Sequence, residues 1–361
     1  MDHTPYIEID EKILLKNIRK MSKLARENGV NLRPHIKTHK IPRIAKLQLA
    51  EGAVGITVAK ISEAQVMAEY GIDDIFIAYP VVSEAKAEEI CALNQKLSHL
   101  IVGVDSREGA EVLNTCAQKH GQTLNVRLEI DTGLARTGVD LQQASGLAEQ
   151  ITQLDALHLQ GIFTFKGPVY KGEATTDTDK AGIEEGELMT ELAAQLEESG
   201  IKLEDISVGS SPTAASVASV ASITEIRPGT YVFNDAMQVK LGVSEWEDCA
   251  AQVVTTIVSR PSEDRAVIDG GSKTFATDVQ PNHAPLNLKG FGAIQGHPEA
   301  EFARMNEEHG VILSTDLKIG EQVKVIPNHI CSTINLHNYV YLKKENDEYE
   351  KIKVEARGML Q

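Results

Sequence analysis

Between residues 12 and 240, short runs of Val, Ile and Leu alternate with longer stretches whose apolar residues recur at i, i+3 and i+4. This is the pattern of buried strands alternating with amphipathic helices. Ile13, Leu14, Ile18, Met21, Leu24 and Ala25 form one such stripe, and Gly29 follows it as a left-handed helix end. Strands are predicted at 30–35, 54–59, 74–79, 100–104, 124–130, 157–165, 206–208 and 223–226, with helices between most of them, including 62–70 and 83–97. The strand segments are apolar on both faces, as parallel strands covered by helices are. Eight such units in about 230 residues match a (β/α)8 TIM-type barrel, and a doubly wound open sheet is the competing fold.

From residue 241 the helical period fades and short β runs take over, at 252–259, 265–268, 311–314, 322–327 and 339–342. The expected organisation is α/β: a (β/α)8 barrel over 10–240, then a C-terminal β domain over 241–361, with residues 1–9, strand-like from Pro5 to Ile9, pairing with that second domain.

Charge narrows the partners. The 361 residues carry a net charge of −16 and only 4% aromatics, which argues against nucleic acid, an anionic membrane or a base-stacking surface. Four cysteines at wide spacings form no disulfide framework, the N-terminus lacks an export signal, and no apolar run is long enough to span a bilayer. A cytoplasmic enzyme of small metabolites is expected.

Reactive residues cluster where predicted strands end, the face on which barrel enzymes hold their sites. Arg33-Pro34-His35-Ile36-Lys37-Thr38-His39-Lys40 follows the first strand. It reads either as a solvated basic turn or as the site of a cofactor lysine, since a partly desolvated Lys37 among cations suits Schiff-base formation with an aldehyde. Gly209-Ser210-Ser211-Pro212-Thr213 and Arg227-Pro228-Gly229-Thr230-Tyr231 follow strands seven and eight, where barrels commonly bind phosphate. In the first of these loops Ser211 is expected to cap a helix that Pro212 opens. Arg136, in a glycine-bracketed loop after strand five, fits either a phenolate or carboxylate contact or a surface turn. In Pro327-Asn328-His329-Ile330-Cys331, an extended strand would put His329 and Cys331 on one face, able to share a metal with open coordination positions; a buried cysteine beside an ordinary histidine is the other reading. A thiolate favours zinc over manganese or magnesium. His297 and His309 fit either supporting positions behind a site or turns, the structural reading being favoured, and Lys273 is a candidate that a strand-ending turn explains equally well.

Taken together, RPHIKTHK, EIDTGLARTG, GSSPT, EIRPGTYVFND, IDGGSKTFATD and PNHICST resemble, in that order, the D-threonine aldolase and D-serine dehydratase family of fold type III pyridoxal phosphate enzymes. The resemblance covers nearly the whole chain. It implies an alanine-racemase-like barrel with a β domain, usually homodimeric. It further implies that Lys37 binds the aldehyde of pyridoxal 5'-phosphate, that Arg136 lies near its 3-hydroxyl, and that Ser211, Thr213, Gly229 and Thr230 surround its phosphate. His35 and Tyr231 complete the expected cofactor contacts, and His329 and Cys331 would hold a divalent metal. Relatives often place tyrosine and histidine after strand six, where this chain has Phe163-Thr164-Phe165-Lys166-Gly167-Pro168-Val169-Tyr170. Tyr170 and Arg227 are therefore the candidates for the pyridine nitrogen. The implied activity is a lyase of D-3-hydroxy amino acids. His-x-Cys, where aldolases tend to carry His-x-Asp, points to β-elimination from D-serine or D-3-hydroxyaspartate. Retro-aldol cleavage to glycine and an aldehyde is the alternative, and a racemase or a non-catalytic cofactor carrier is more remote.

Overall fold

The computed structural model describes residues 3–361. The described residues fold as two compact units: one of residues 3–20, 38–41 and 230–358, the other of residues 21–37, 42–229 and 359–361; the first two of the residues 1–9 expected to pair with the β domain lie outside the described residues.

In the second unit, eight parallel strands follow one another around a cylinder: Asn31–Leu32, Ile56–Val58, Asp74–Ile77, His99–Val104, Leu124–Asp131, Leu157–Phe163, Asp205–Val208 and Glu225–Ile226. The eighth pairs with the first through Glu225↔Asn31 and Ile226↔Leu32. The first meets the second through the bridge His35↔Thr57 and the bonds Val54 N→Leu32 O (2.9 Å) and Thr57 N→Pro34 O (2.8 Å). The ring is thus closed, and a barrel rather than an open sheet is the fold. The first strand is shorter than the predicted 30–35 because Pro34 has no amide hydrogen to give the ladder. Helices are stopped and started by local chemistry. Gly29 takes φ +68° after helix Glu11–Asn28, Ser106 accepts the Gly109 amide ahead of Arg107–His120, and Gly121 closes that helix at φ +61°. Phe76, Ile101 and Phe163 pack as one buried cluster, the two rings edge to face at 4.9 Å. Gly161 is needed where strands six and seven approach, since a Cβ there would sit 2.2 Å from Asp205 O.

Charge also lines this interior. Glu225 accepts from Arg33 Nε at 2.7 Å and from Arg127 Nη1 at 2.6 Å, Arg127 reaches Asp205 at 2.7 Å, and Ser207 Oγ donates to Glu225 at 2.5 Å. Burial disfavours the carboxylate, but the two guanidinium groups outweigh it and hold Glu225 far below the usual carboxylate range.

The first unit is built on a mixed sheet. Tyr6–Asp10 runs antiparallel to Ala251–Ser262 and parallel to Tyr339–Lys343, with Ile7 and Ile9 fully buried. Gln322–Pro327 pairs with Ala251–Ser262, and Arg265–Ile268, Gly310–Leu313 and Glu301–Met305 extend the other end. Gly292–Ile294, Glu301–Met305 and Tyr349–Lys353 are strands without a prediction, their apolar runs being too short to show a period. Among the described residues no helix is long and apolar enough to cross a membrane.

Candidate active site

Lys37 lies in the single helical turn Ile36–Thr38 that follows the first barrel strand. The turn is anchored by His35, whose amide donates to Pro228 O at 3.0 Å and whose Nδ1 accepts from the Lys37 amide at 3.4 Å. The Lys37 ammonium lies 5.3 Å from the Phe165 ring centroid, and the Arg136 guanidinium 5.0 Å from the same centroid. Two cations therefore gather on one aromatic ring. Phe165 stands in the segment where this chain was expected to differ from its relatives, and sequence reasoning gave it no role.

Arg227 is buried at the end of strand eight. It donates to Ser207 Oγ at 2.5 Å and to the carbonyl of Thr164, and its guanidinium lies 5.3 Å from the Phe163 ring centroid. Burial brings its pKa down to about 10, so it stays cationic at neutral pH. Tyr170 belongs to the hairpin Val169–Tyr170 with Glu173–Ala174, where Lys171 sits 5.4 Å from its ring.

In the loop after strand seven, the helix begins later than predicted: it spans Ala214–Ala218, with Thr213 rather than Ser211 at its N-cap and Pro212 ahead of the first turn. The reason is Glu185, fully buried behind the loop. Its carboxylate accepts the Gly209 amide and the Thr213 hydroxyl, both at 3.3 Å, and Thr213 Oγ1 in turn accepts the Ser210 amide at 3.1 Å. This internal bonding fixes Thr213 and shifts the cap two residues on. Burial pushes the Glu185 carboxyl above its usual range.

In the other unit, His329 follows the strand Gln322–Pro327 and caps the short helix Ile330–Ile334. The expected extended strand, with its two ligands one repeat apart, is therefore not the arrangement; Asp235 turns the chain into a helix by accepting the Ile330 amide at 3.0 Å. His329 and Cys331 still meet, because the helical turn folds the sulfur back to a hydrogen bond with the imidazole. Asp278 Oδ2 lies 2.6 Å from His329 Nδ1 and accepts from Ser332 Oγ at 2.9 Å. The Cys331 sulfur contacts the hydroxyls of Thr38 at 3.1 Å and Thr230 at 3.4 Å. Burial opposes charge on both groups, yet each favours the other's charged form: His329 is held well above its ordinary value and Cys331 below. Burial pushes Asp235 up to about 6. Tyr231 is buried in the turn Thr230–Val232.

A carboxylate on one imidazole nitrogen, with a cysteine sulfur beside the same ring, is a donor set suited to a histidine-cysteine metal site. Sequence reasoning gave Asp278, Asp235 and Thr38 no role. They stand inside segments already singled out, but only the fold shows what they touch. Lys273 is paired with Glu308 at 2.8 Å, His297 faces Glu299 at 3.7 Å, and His309 closes a turn through Asn306 N→His309 O at 2.9 Å.

Residues 9–236 match the alanine racemase N-terminal domain and residues 250–343 the putative serine dehydratase domain. The D-threonine aldolase of an Arthrobacter species is 29% identical over 98% of this chain and 93% of its own length. The D-serine dehydratase of Dictyostelium discoideum is 30% identical over 92% of this chain and 91% of its own. The solved D-threo-3-hydroxyaspartate dehydratase of Delftia sp. HT23 superposes with a TM-score of 0.89 at 26% identity, covering 97% of each chain, and a cysteine-to-alanine mutant of an enzyme of that name was solved in a metal-free form. With both of its parts matched in order, the chain belongs to the alanine racemase N-terminal domain family, completed by the putative serine dehydratase domain.

Proposed function

We propose that this protein is a pyridoxal phosphate- and divalent-metal-dependent lyase that eliminates the β-hydroxyl of D-serine or D-3-hydroxyaspartate, releasing a 2-oxo acid and ammonia. The observation that carries this reading is the convergence of His329 and Cys331 with Asp278 on the imidazole Nδ1. A soft two-donor site with free coordination positions suits a metal that also takes substrate, and zinc is favoured over manganese or magnesium.

Lys37 and Arg136, gathered on Phe165, fit an anionic aldehyde cofactor. Pyridoxal phosphate, bound through Lys37, supplies an electron sink for charge developing at the substrate α-carbon. The metal held by His329 and Cys331 supplies a Lewis acid for the β-oxygen. Lys37 takes the α-proton. Arg136 holds the phenolic oxygen, and Arg227, kept rigid by Ser207 and Thr164, provides a fixed cation for the ring nitrogen, with Tyr170 as the other candidate. His35, Ser211, Thr213, Gly229, Thr230 and Tyr231 set the remaining contacts. His35 does so by fixing the turn that bears Lys37, and Asp278 by fixing the His329 ring. The proposed division is a cofactor barrel over 10–240 and a metal-bearing β domain over 241–361 with residues 1–9, acting as a cytoplasmic homodimer.

The test is to incubate the purified protein, loaded with pyridoxal phosphate and zinc, with D-serine, D-threonine and D-3-hydroxyaspartate. A 2-oxo acid with ammonia is expected. Glycine with an aldehyde would assign the retro-aldol reaction of the D-threonine aldolase relative instead. Neither product from any of the three would overturn the lyase reading, as would undiminished turnover by Lys37→Ala.

A further inference from the structure

We propose that Glu88, Cys116 and His120 form a second metal site, taking a zinc-class divalent ion between the helices Glu84–Asn94 and Arg107–His120. These are the only residues, among those described, whose three or more metal-donor atoms come within 4.8 Å of one another. They belong to the barrel unit, whereas His329 and Cys331 belong to the other.

The helical period builds the site. Cys116 and His120 are four residues apart on one helix and so share a face, and Glu88 reaches them from the neighbouring helix. Glu88 Oε2 lies 2.6 Å from His120 Nε2, while its Oε1 is bound to Lys119 at 2.6 Å, so a single oxygen of this carboxylate is aimed at the imidazole. Cys116 is buried behind the pair, with the Cys91 thiol hydrogen-bonded to it. Sulfur, imidazole nitrogen and one carboxylate oxygen are zinc donors at bond lengths of about 2.0–2.3 Å, which puts neighbouring donors within about 4 Å of each other in a tetrahedron. The observed donor atoms, all within 4.8 Å of one another, are spaced close to that.

Access and charge agree with a cation. A cavity of about 480 Å³ opens at the site, lined by Glu84, Glu88, Glu108 and Glu111 beside Cys116 and Lys119. Four carboxylates face two fixed cations, Lys119 on Glu88 and Arg107 on Glu111, each at 2.6 Å, and the remaining negative charge attracts a divalent ion. On binding, the proton of the Cys116 thiol leaves to solvent, a metal-sulfur bond forms, and the metal takes the place of the hydrogen shared by His120 and Glu88; water fills the fourth position. No oxidation is involved.

Cobalt(II) provides the probe, because a cobalt-thiolate bond absorbs in the near ultraviolet. The full-length chain carrying His329→Ala and Cys331→Ala removes the other thiolate site. In that background, one cobalt per chain with a thiolate charge-transfer band is expected. Adding His120→Ala, an exposed change, or Cys116→Ser should weaken binding roughly tenfold or more and remove the thiolate band in the serine variant. Competition by zinc should abolish the band. No thiolate band in the parent background, or unchanged cobalt affinity after His120→Ala, would overturn the proposal and leave the cluster as an ion pair around Glu88. In the chain with His329 and Cys331 intact, His120→Ala should leave turnover of D-serine as it was, which separates this site from the proposed reaction.

Discussion

Arg127 donates to Glu225 at 2.6 Å with both side chains buried inside the barrel, and Arg33 closes on the same carboxylate from the first strand at 2.7 Å. Charge so deeply placed is tolerated because every member is paired. Removing one partner strands the others. Glu225→Gln should therefore destabilise the barrel by about 3–5 kcal/mol, read as a lowered midpoint of denaturant unfolding. A midpoint shift worth less than about 1 kcal/mol would mean that water replaces the carboxylate.

Asp278 touches no proposed substrate atom, and its role is to orient the imidazole. Asp278→Ala should lower zinc affinity about 10–100-fold while Lys37 still binds pyridoxal phosphate normally. Equilibrium dialysis against zinc, alongside the visible absorption of the cofactor-loaded protein, separates the two effects. Parallel loss of cofactor and metal would point to a folding defect instead.

His99 and Asp74 give the barrel a pH-dependent contact. Asp74, 3.2 Å away, raises the His99 pKa above the ordinary 6.5, with burial and Arg33 opposing and Gln160 at 3.3 Å assisting. For a base with a raised folded pKa, the stabilisation is complete below the unfolded value of 6.5 and fades as pH climbs through the folded value. The difference in Tm between the parent and His99→Gln should be largest in mildly acidic buffer and shrink toward alkaline pH. A difference constant across that window would remove the pair from the pH response.

Phe165 carries Lys37 on its ring at 5.3 Å and Arg136 at 5.0 Å. Phe165→Leu keeps an apolar side chain but removes the ring quadrupole, so pyridoxal phosphate should bind more weakly by roughly threefold to tenfold, or about 0.6–1.4 kcal/mol. Cofactor titration followed by absorbance gives the value, and unchanged affinity would show that the ring only fills space.

The order of eight βα units, the change to β periodicity near residue 241 and the positions of Lys37, Arg136, His329 and Cys331 were all legible in the chain, because hydrophobic period and punctuation by glycine and proline are local properties. Gly29 ends its helix as its place after an apolar stripe dictates. Closure of the barrel was not legible: it depends on His35 meeting Thr57 and Glu225 meeting Asn31 across long sequence separations. The same holds for the partners of the reactive groups. Asp278 reaches His329 over fifty-one positions, and Phe165 collects cations from two distant loops. Local pattern even misplaced two details, the strand at His329 and the cap at Ser211, because a buried acid from elsewhere in the chain, Asp235 in one case and Glu185 in the other, takes the backbone amides that decide them. Sequence alone thus determined the repeating elements of the barrel, most strands of the second unit and which chemical groups stand near their ends. Tertiary structure decided which of those groups share hydrogen bonds and charge, since such interactions act over a few ångströms of space whatever the distance along the chain.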